Sequence, residues 1–136
     1  MTARVFGYVS CSTARAVPAG FSSASTALLF LFVRRRYGLR AAVVTGFLYA
    51  FNPMMLALGD MAEYMNAPLV FCGIATIAAY VRWIESGRRT WLAALAAFFI
   101  VGALSDWPIF YLVPILAAHA WLTRRATLLQ AATFVA

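Results

Sequence analysis

The chain has 136 residues, of which 65% are hydrophobic and 11% charged, and its net charge of +7 rests on arginine alone because lysine is absent. A water-soluble domain is about half apolar and about a quarter charged, so this composition excludes an ordinary soluble domain and makes lipid the solvent. The basic balance does not point to nucleic acid. The arginines sit in short clusters between apolar runs rather than along one exposed face with aromatic partners.

Residues 1–16 lack the charged-then-apolar order of a signal peptide and contain no acidic residue. Five apolar runs follow, at 17–33, 41–59, 68–84, 90–105 and 107–123. Each approaches the roughly 20 residues needed to cross the hydrocarbon core as a helix. Helices are the expected form, because the backbone must satisfy its own hydrogen bonds in lipid. A sixth run occupies 126–136. The fold class predicted is therefore all-α, a polytopic transmembrane helical bundle with five full spans and a truncated sixth. The chain reads as a single transmembrane domain, the central part of a longer protein.

The connectors set the expected orientation. Arg34-Arg35-Arg36-Tyr37-Gly38-Leu39-Arg40 follows the first run, and Asp60-Met61-Ala62-Glu63-Tyr64-Met65-Asn66 follows the second. Glu85-Ser86-Gly87-Arg88-Arg89 follows the third, Asp106 the fourth and Arg124-Arg125 the fifth. Alternating these turns places nine of the eleven arginines on one side, which the positive-inside rule makes cytoplasmic. Asp60, Glu63 and Asp106 then face the extracytoplasmic side of a cell inner (plasma) membrane. Residues 1–16 fall on that side as well.

Local signals agree with these boundaries. Asn66 and Asp106 each precede a proline by two residues, as a capping side chain does at a helix start. Asn52-Pro53 and Pro114 lie inside runs and predict kinks. Tyr37, Tyr64, Trp83, Trp91, Trp107 and Trp121 gather near helix ends as an aromatic belt.

Few residues carry chemistry. Asp60 and Glu63 stand three apart, so a helical turn would put both carboxylates on one face, where they could hold a divalent cation such as Mg or Mn. The competing reading is a solvated acidic turn. Asp106 is a good cap beside an interfacial tryptophan, and it is also a carboxylate able to line a cavity at the outer rim. His119 reads as a neutral hydrogen-bonding group between helices. Cys11 and Cys72 have no metal spacing, and Cys72 reads as a packing residue. A phosphate-cradling glycine loop, a metal box and a nucleophile elbow are all missing from the sequence.

The order of these features resembles a known family. The Arg-rich Tyr-Gly turn, the helix with Asn-Pro, the acidic turn 60–64, the Gly-Arg-Arg turn and the closing Gly102-Ala103-Leu104-Ser105-Asp106-Trp107-Pro108 are similar to the middle of GT-C superfamily glycosyltransferases. The likeness is to the protein mannosyltransferase branch of glycosyltransferase family 39 type, which includes lipid A aminoarabinose transferases. It covers about residues 21–125. The resemblance implies inverting transfer of a sugar from a polyprenyl-phosphate donor to an acceptor on the outer face. It implies a catalytic Asp in the first outer loop, where this sequence has only residues 1–16 and no acid. The family's second acidic position matches Asp60 or Glu63, and Asp106 matches a variable position near the carrier. The partners implied are the lipid bilayer and a polyprenyl-phosphate-linked sugar. The rival readings are a fragment of a multi-pass transporter or permease, with the three acids along a solute path, and a small structural membrane subunit.

Overall fold

A computed structural model describes residues 11–55 and 66–135, with side chains described within 16–55 and 66–123. Every described element is helical. In chain order these are α1 (Cys11–Tyr37), α2 (Leu39–Ala50), α3 (Asn66–Ser86), α4 (Arg89–Ser105), a 3-10 helix (Trp107–Tyr111) and α5 (Leu112–Val135).

Two glycines make the arginine-bearing turns possible. Gly38 has φ 87° and Gly87 φ 64°, the left-handed region that a Cβ disfavours. Gly38 N–H donates to the Arg34 carbonyl at 3.1 Å, and Gly87 N–H donates to the Trp83 carbonyl at 2.8 Å. Each closes a helix and lets the next begin within two or three residues. The chain therefore doubles back at Gly38, just after Arg34–Arg36, and again at Gly87, just before Arg88–Arg89.

The expected kink at Asn52-Pro53 is a full break. α2 stops at Ala50, and Asn52 Oδ1 accepts from Met54 N–H at 2.9 Å, capping a short helical turn at 53–55. Proline cannot donate into the preceding turn, and the asparagine side chain supplies the substitute cap. Pro114 lies in the first turn of α5, just after the chain passes from 3-10 to α-helix at Leu112. It bends nothing within a helix there, because its missing N–H falls where partners are scarce. The turn expected at Arg124-Arg125 is not formed. The backbone stays helical through both arginines to Val135, so the fifth run and the partial sixth are one helix. Neither glycine nor proline interrupts 115–135, and arginine, alanine and leucine all favour helix.

α1 packs against α2 on one side and α3 on the other, and α3 packs most extensively with α4. Most buried positions on α2 and α3 are small, Tyr80 being the large exception. Ala67, Cys72, Ala75, Thr76 and Ala79 line the inside of α3, with Ala42 and Gly46 on α2. Small residues let helix backbones approach where apolar bulk gives no advantage over lipid tails. An edge-to-face row of rings, Phe21–Phe71 at 5.8 Å and Phe71–Phe98 at 6.2 Å, then links α1, α3 and α4.

The large apolar side chains point outward instead. Leu104 is 82% exposed, Leu48 and Met54 65%, and Ile115 60%. Ala16–Tyr37 and Asn66–Ser86 have mean hydropathies of 1.7 and 1.6 over lengths of 22 and 21 residues. At about 1.5 Å per residue each spans about 30 Å, the thickness of a hydrocarbon core. Only 17% and 33% of their apolar windows are buried inside the protein. A soluble core helix this apolar would be mostly covered. The two helices are built to face lipid.

Candidate functional site

Asp106 and the arginine-bearing turns sit at opposite ends of the helices. Arg36 Nη1 donates to Glu85 Oε1, which brings the α1–α2 turn and the α3–α4 turn to one end. α4 starts there at Arg89 and runs 17 residues to Ser105, about 25 Å away. Asp106 follows at that far end. α3 runs the other way, so Asn66 also lies at the end that holds Asp106.

Asp106 acts locally as a cap. Its backbone is extended, with φ −165° and ψ 157°, and its N–H donates to the Gly102 carbonyl at 3.0 Å, closing α4. Its Oδ1 accepts from Trp107 N–H at 2.7 Å, opening the 3-10 helix with Pro108 in the first turn. One carboxylate oxygen is thus engaged by the backbone, and the residue is half-buried at the helix end. Trp107 and Tyr111 pack edge to face at 5.3 Å beside it. The sequence pattern anticipated this cap.

What holds the cap in place was not legible in the sequence. Gly102 is buried, and a Cβ there would collide with Ile109 Cδ1 and stand 3.0 Å from Cys72 Cβ. The 3-10 helix folds back onto α4 through that gap, burying Ile109. Ala94, Ala97 and Gly102 do not read as a packing stripe, yet Gly102 alone makes the close approach. The only sequence signal was a glycine four residues before a capping aspartate.

Asp60 and Glu63 lie outside the described residues. The residues flanking them are at the Asp106 end: Met55 and Ala67 border one small hollow together with Ser22, Ser25 and Tyr49. Among the described residues no three His, Cys, Asp or Glu side chains come together. The described part of the molecule therefore brings Asp106 to this end and leaves the other two acids unplaced.

His119 has the role its position suggested. Tyr80 Oη lies 2.9 Å from His119 Nδ1 and donates to the Leu116 carbonyl at 3.2 Å, pinning α5 against α3. The phenol and imidazole also pack edge to face at 5.6 Å. This contact lies one turn from Glu85, at the arginine-bearing end. Trp91 lies there too, with the Arg82 guanidinium 5.9 Å from its ring centroid.

The family model described as dolichyl-phosphate-mannose-protein mannosyltransferase matches residues 1–136, the whole length of the chain. The chain belongs to that family. No curated protein and no solved structure matches it significantly. Membership in the mannosyltransferase family agrees with the GT-C-like pattern of turns and with the lipid-facing helices. It makes the chain part of a membrane glycosyltransferase lineage. Within this family frame the four acids, Asp60, Glu63, Glu85 and Asp106, divide unequally. Glu85 is engaged by Arg36, and Asp106 accepts from Trp107 N–H. Arg35 and Arg82, which the sequence offered only as topology markers, line a cleft between α1, α3 and α4.

Proposed function

We propose that the chain forms part of a glycosyltransferase that moves a sugar from a polyprenyl-phosphate donor to an acceptor on the extracytoplasmic face of the membrane. The observation that carries this reading is the family match along all 136 residues. The geometry is compatible with it. A lipid-linked donor keeps its phosphate at the interface and its tail in the bilayer. The end that holds Asp106 has carboxylate chemistry at the rim and apolar helix surface below it.

The reaction would be an inverting displacement. An acceptor hydroxyl forms a bond to the anomeric carbon as the bond from that carbon to the phosphate oxygen breaks. The hydroxyl proton passes to a base, and the polyprenyl phosphate leaves carrying the electron pair. Residues 1–59 contain no acid able to serve as that base. In this reading Asp60, Glu63 and Asp106 supply binding and charge control rather than the proton acceptor. Asp60 and Glu63 are hard oxygen donors of the kind that take Mg or Mn, and such a cation would offset charge developing on the leaving phosphate. Asp106 would face the carrier with its second carboxylate oxygen, since the first is held by Trp107 N–H.

A permease fragment would instead carry polar groups at mid-bilayer near broken helices. Asn52 is the sole polar residue at the α2 break, and no acid accompanies it. The deciding experiment uses membranes containing the protein and a radiolabelled polyprenyl-phosphate sugar. The Asp60→Asn and Glu63→Gln double substitution should lower transfer at least tenfold, with added Mg or Mn no longer stimulating. Undiminished, cation-independent transfer in the double variant would remove the metal-holding role.

A further inference from the structure

A cleft of about 440 Å³ lies between α1, α3 and α4 and opens at the end opposite Asp106. It is an apolar groove with a cationic mouth. On α3 its floor is Phe71, Ala75, Ala78 and Ala79, ending at Arg82. These are spaced 0, 4, 7, 8 and 11, one face of a helix. On α1 its wall is Leu28, Leu31 and Phe32, ending at Arg35, again one face. The hollow exists because three alanines stand where larger side chains would fill the space. Trp91 and Phe98 of α4 close the remaining side.

At the mouth a second, polar cleft of about 300 Å³ opens, sharing Phe32, Arg35 and Arg82 with the groove. Arg36 and Glu85 border it as well. Glu85 is engaged by Arg36, so Arg35 and Arg82 leave an excess of two positive charges at the top of an otherwise apolar channel. Arg82 is half-buried, and its guanidinium is oriented against Trp91.

We propose that this groove binds an anionic phospholipid of the leaflet at the arginine-bearing end, its phosphate between Arg35 and Arg82 and an acyl chain along the alanine floor. Three observations select that occupant. The charge excess calls for an anion, and guanidinium groups match phosphate oxygens with paired donors. The floor below it is apolar, which suits a hydrocarbon tail and not a free anion. From Phe71 to Arg82 the groove runs eleven residues, about 16 Å, which is half of a hydrocarbon core of about 30 Å. That length fits one phospholipid acyl chain within one leaflet and is short for a polyprenyl tail. The Arg36–Glu85 ion pair ties the ends of α1 and α3 together beside Arg35 and Arg82, so the fold itself assembles the mouth. The site is independent of the donor reading, which concerns the Asp106 end.

Native mass spectrometry of the purified protein in detergent tests this with three added lipids: phosphatidylglycerol, phosphatidylcholine and undecaprenyl phosphate. Phosphatidylglycerol should be retained in preference to phosphatidylcholine. The Arg35→Gln, Arg82→Gln variant should weaken its retention by about tenfold or more, on the order of a severalfold loss per arginine. Arg35→Lys, Arg82→Lys should retain most of it. Ala78→Leu, which fills the groove and leaves both arginines, should also lose the lipid. Thermal unfolding without lipid identifies any variant that fails to fold, and the glutamine and lysine pairs then decide by themselves. Equal retention of the two phospholipids, or retention unchanged by the glutamine pair, would overturn the proposal. Preferential capture of undecaprenyl phosphate by the same residues would overturn it too, by making the groove a carrier site.

Discussion

Arg36 on α1 and Glu85 on α3 form an ion pair across 49 residues of sequence, and that pair fixes which turns share an end of the bundle. Its side chains are 44% and 47% exposed, so solvent screens it. Its contribution is positional more than energetic. A double-mutant cycle with Arg36→Ala and Glu85→Ala, read by thermal or denaturant unfolding in detergent, should give a coupling below about 1 kcal/mol that shrinks further in high salt.

Gly102 is where packing is tightest. Gly102→Val should lower stability by about 1–3 kcal/mol through overpacking against Ile109 and Cys72. Because Ile109 Cδ1 is the atom in the way, adding Ile109→Ala should recover part of the loss. Additive losses in the double variant would show that the two residues do not meet.

Asp106 separates capping from charge. Asn keeps an oxygen for Trp107 N–H while removing the negative charge, whereas Ala removes both. Asp106→Ala should cost about 0.5–2 kcal/mol of stability, and Asp106→Asn much less. If the carboxylate faces the carrier, both variants should lose sugar transfer. A purely capping residue would leave the Asn variant fully active.

Tyr80 anchors α5 to α3 through His119 and Leu116. Tyr80→Phe removes that hydrogen-bonding hydroxyl while keeping the ring contacts. The expected loss is about 0.6 kcal/mol, the usual size of an interhelical hydrogen bond in lipid. Sugar transfer should be unaltered, since neither residue lies at the Asp106 end. A large loss of transfer with stability intact would give His119 a chemical role instead.

The helical class, the lipid-facing composition and three of the turns were legible because each leaves a local mark. Gly38 and Gly87 stand where the chain reverses and Asp106 where α4 ends, whereas Asn52-Pro53 reads as a kink in the sequence and ends α2 in the structure. The boundary at Arg124-Arg125 was misread because charge marks a membrane edge without stopping a helix. Two arginines can lengthen a helix beyond the bilayer as easily as they can sit in a turn. The pairing of Arg36 with Glu85 and the alanine-floored groove were invisible for a different reason. Both depend on which faces of α1 and α3 meet, and hydropathy has little angular preference in helices that are apolar nearly all round. Gly102 likewise gave no periodic signal, since a single close approach needs only one missing Cβ.

Everything proposed about transfer depends on the acidic and arginine-bearing ends facing opposite sides of the membrane, with Asp60 and Asp106 outside. Cysteine labelling of intact cells tests this most directly, in a background with Cys11→Ser and Cys72→Ala, using an impermeant maleimide on Asp60→Cys and Arg88→Cys. The account predicts that position 60 is labelled in intact cells and position 88 only after permeabilisation. Labelling at 88 with protection at 60 would reverse the orientation and contradict the proposed transferase face.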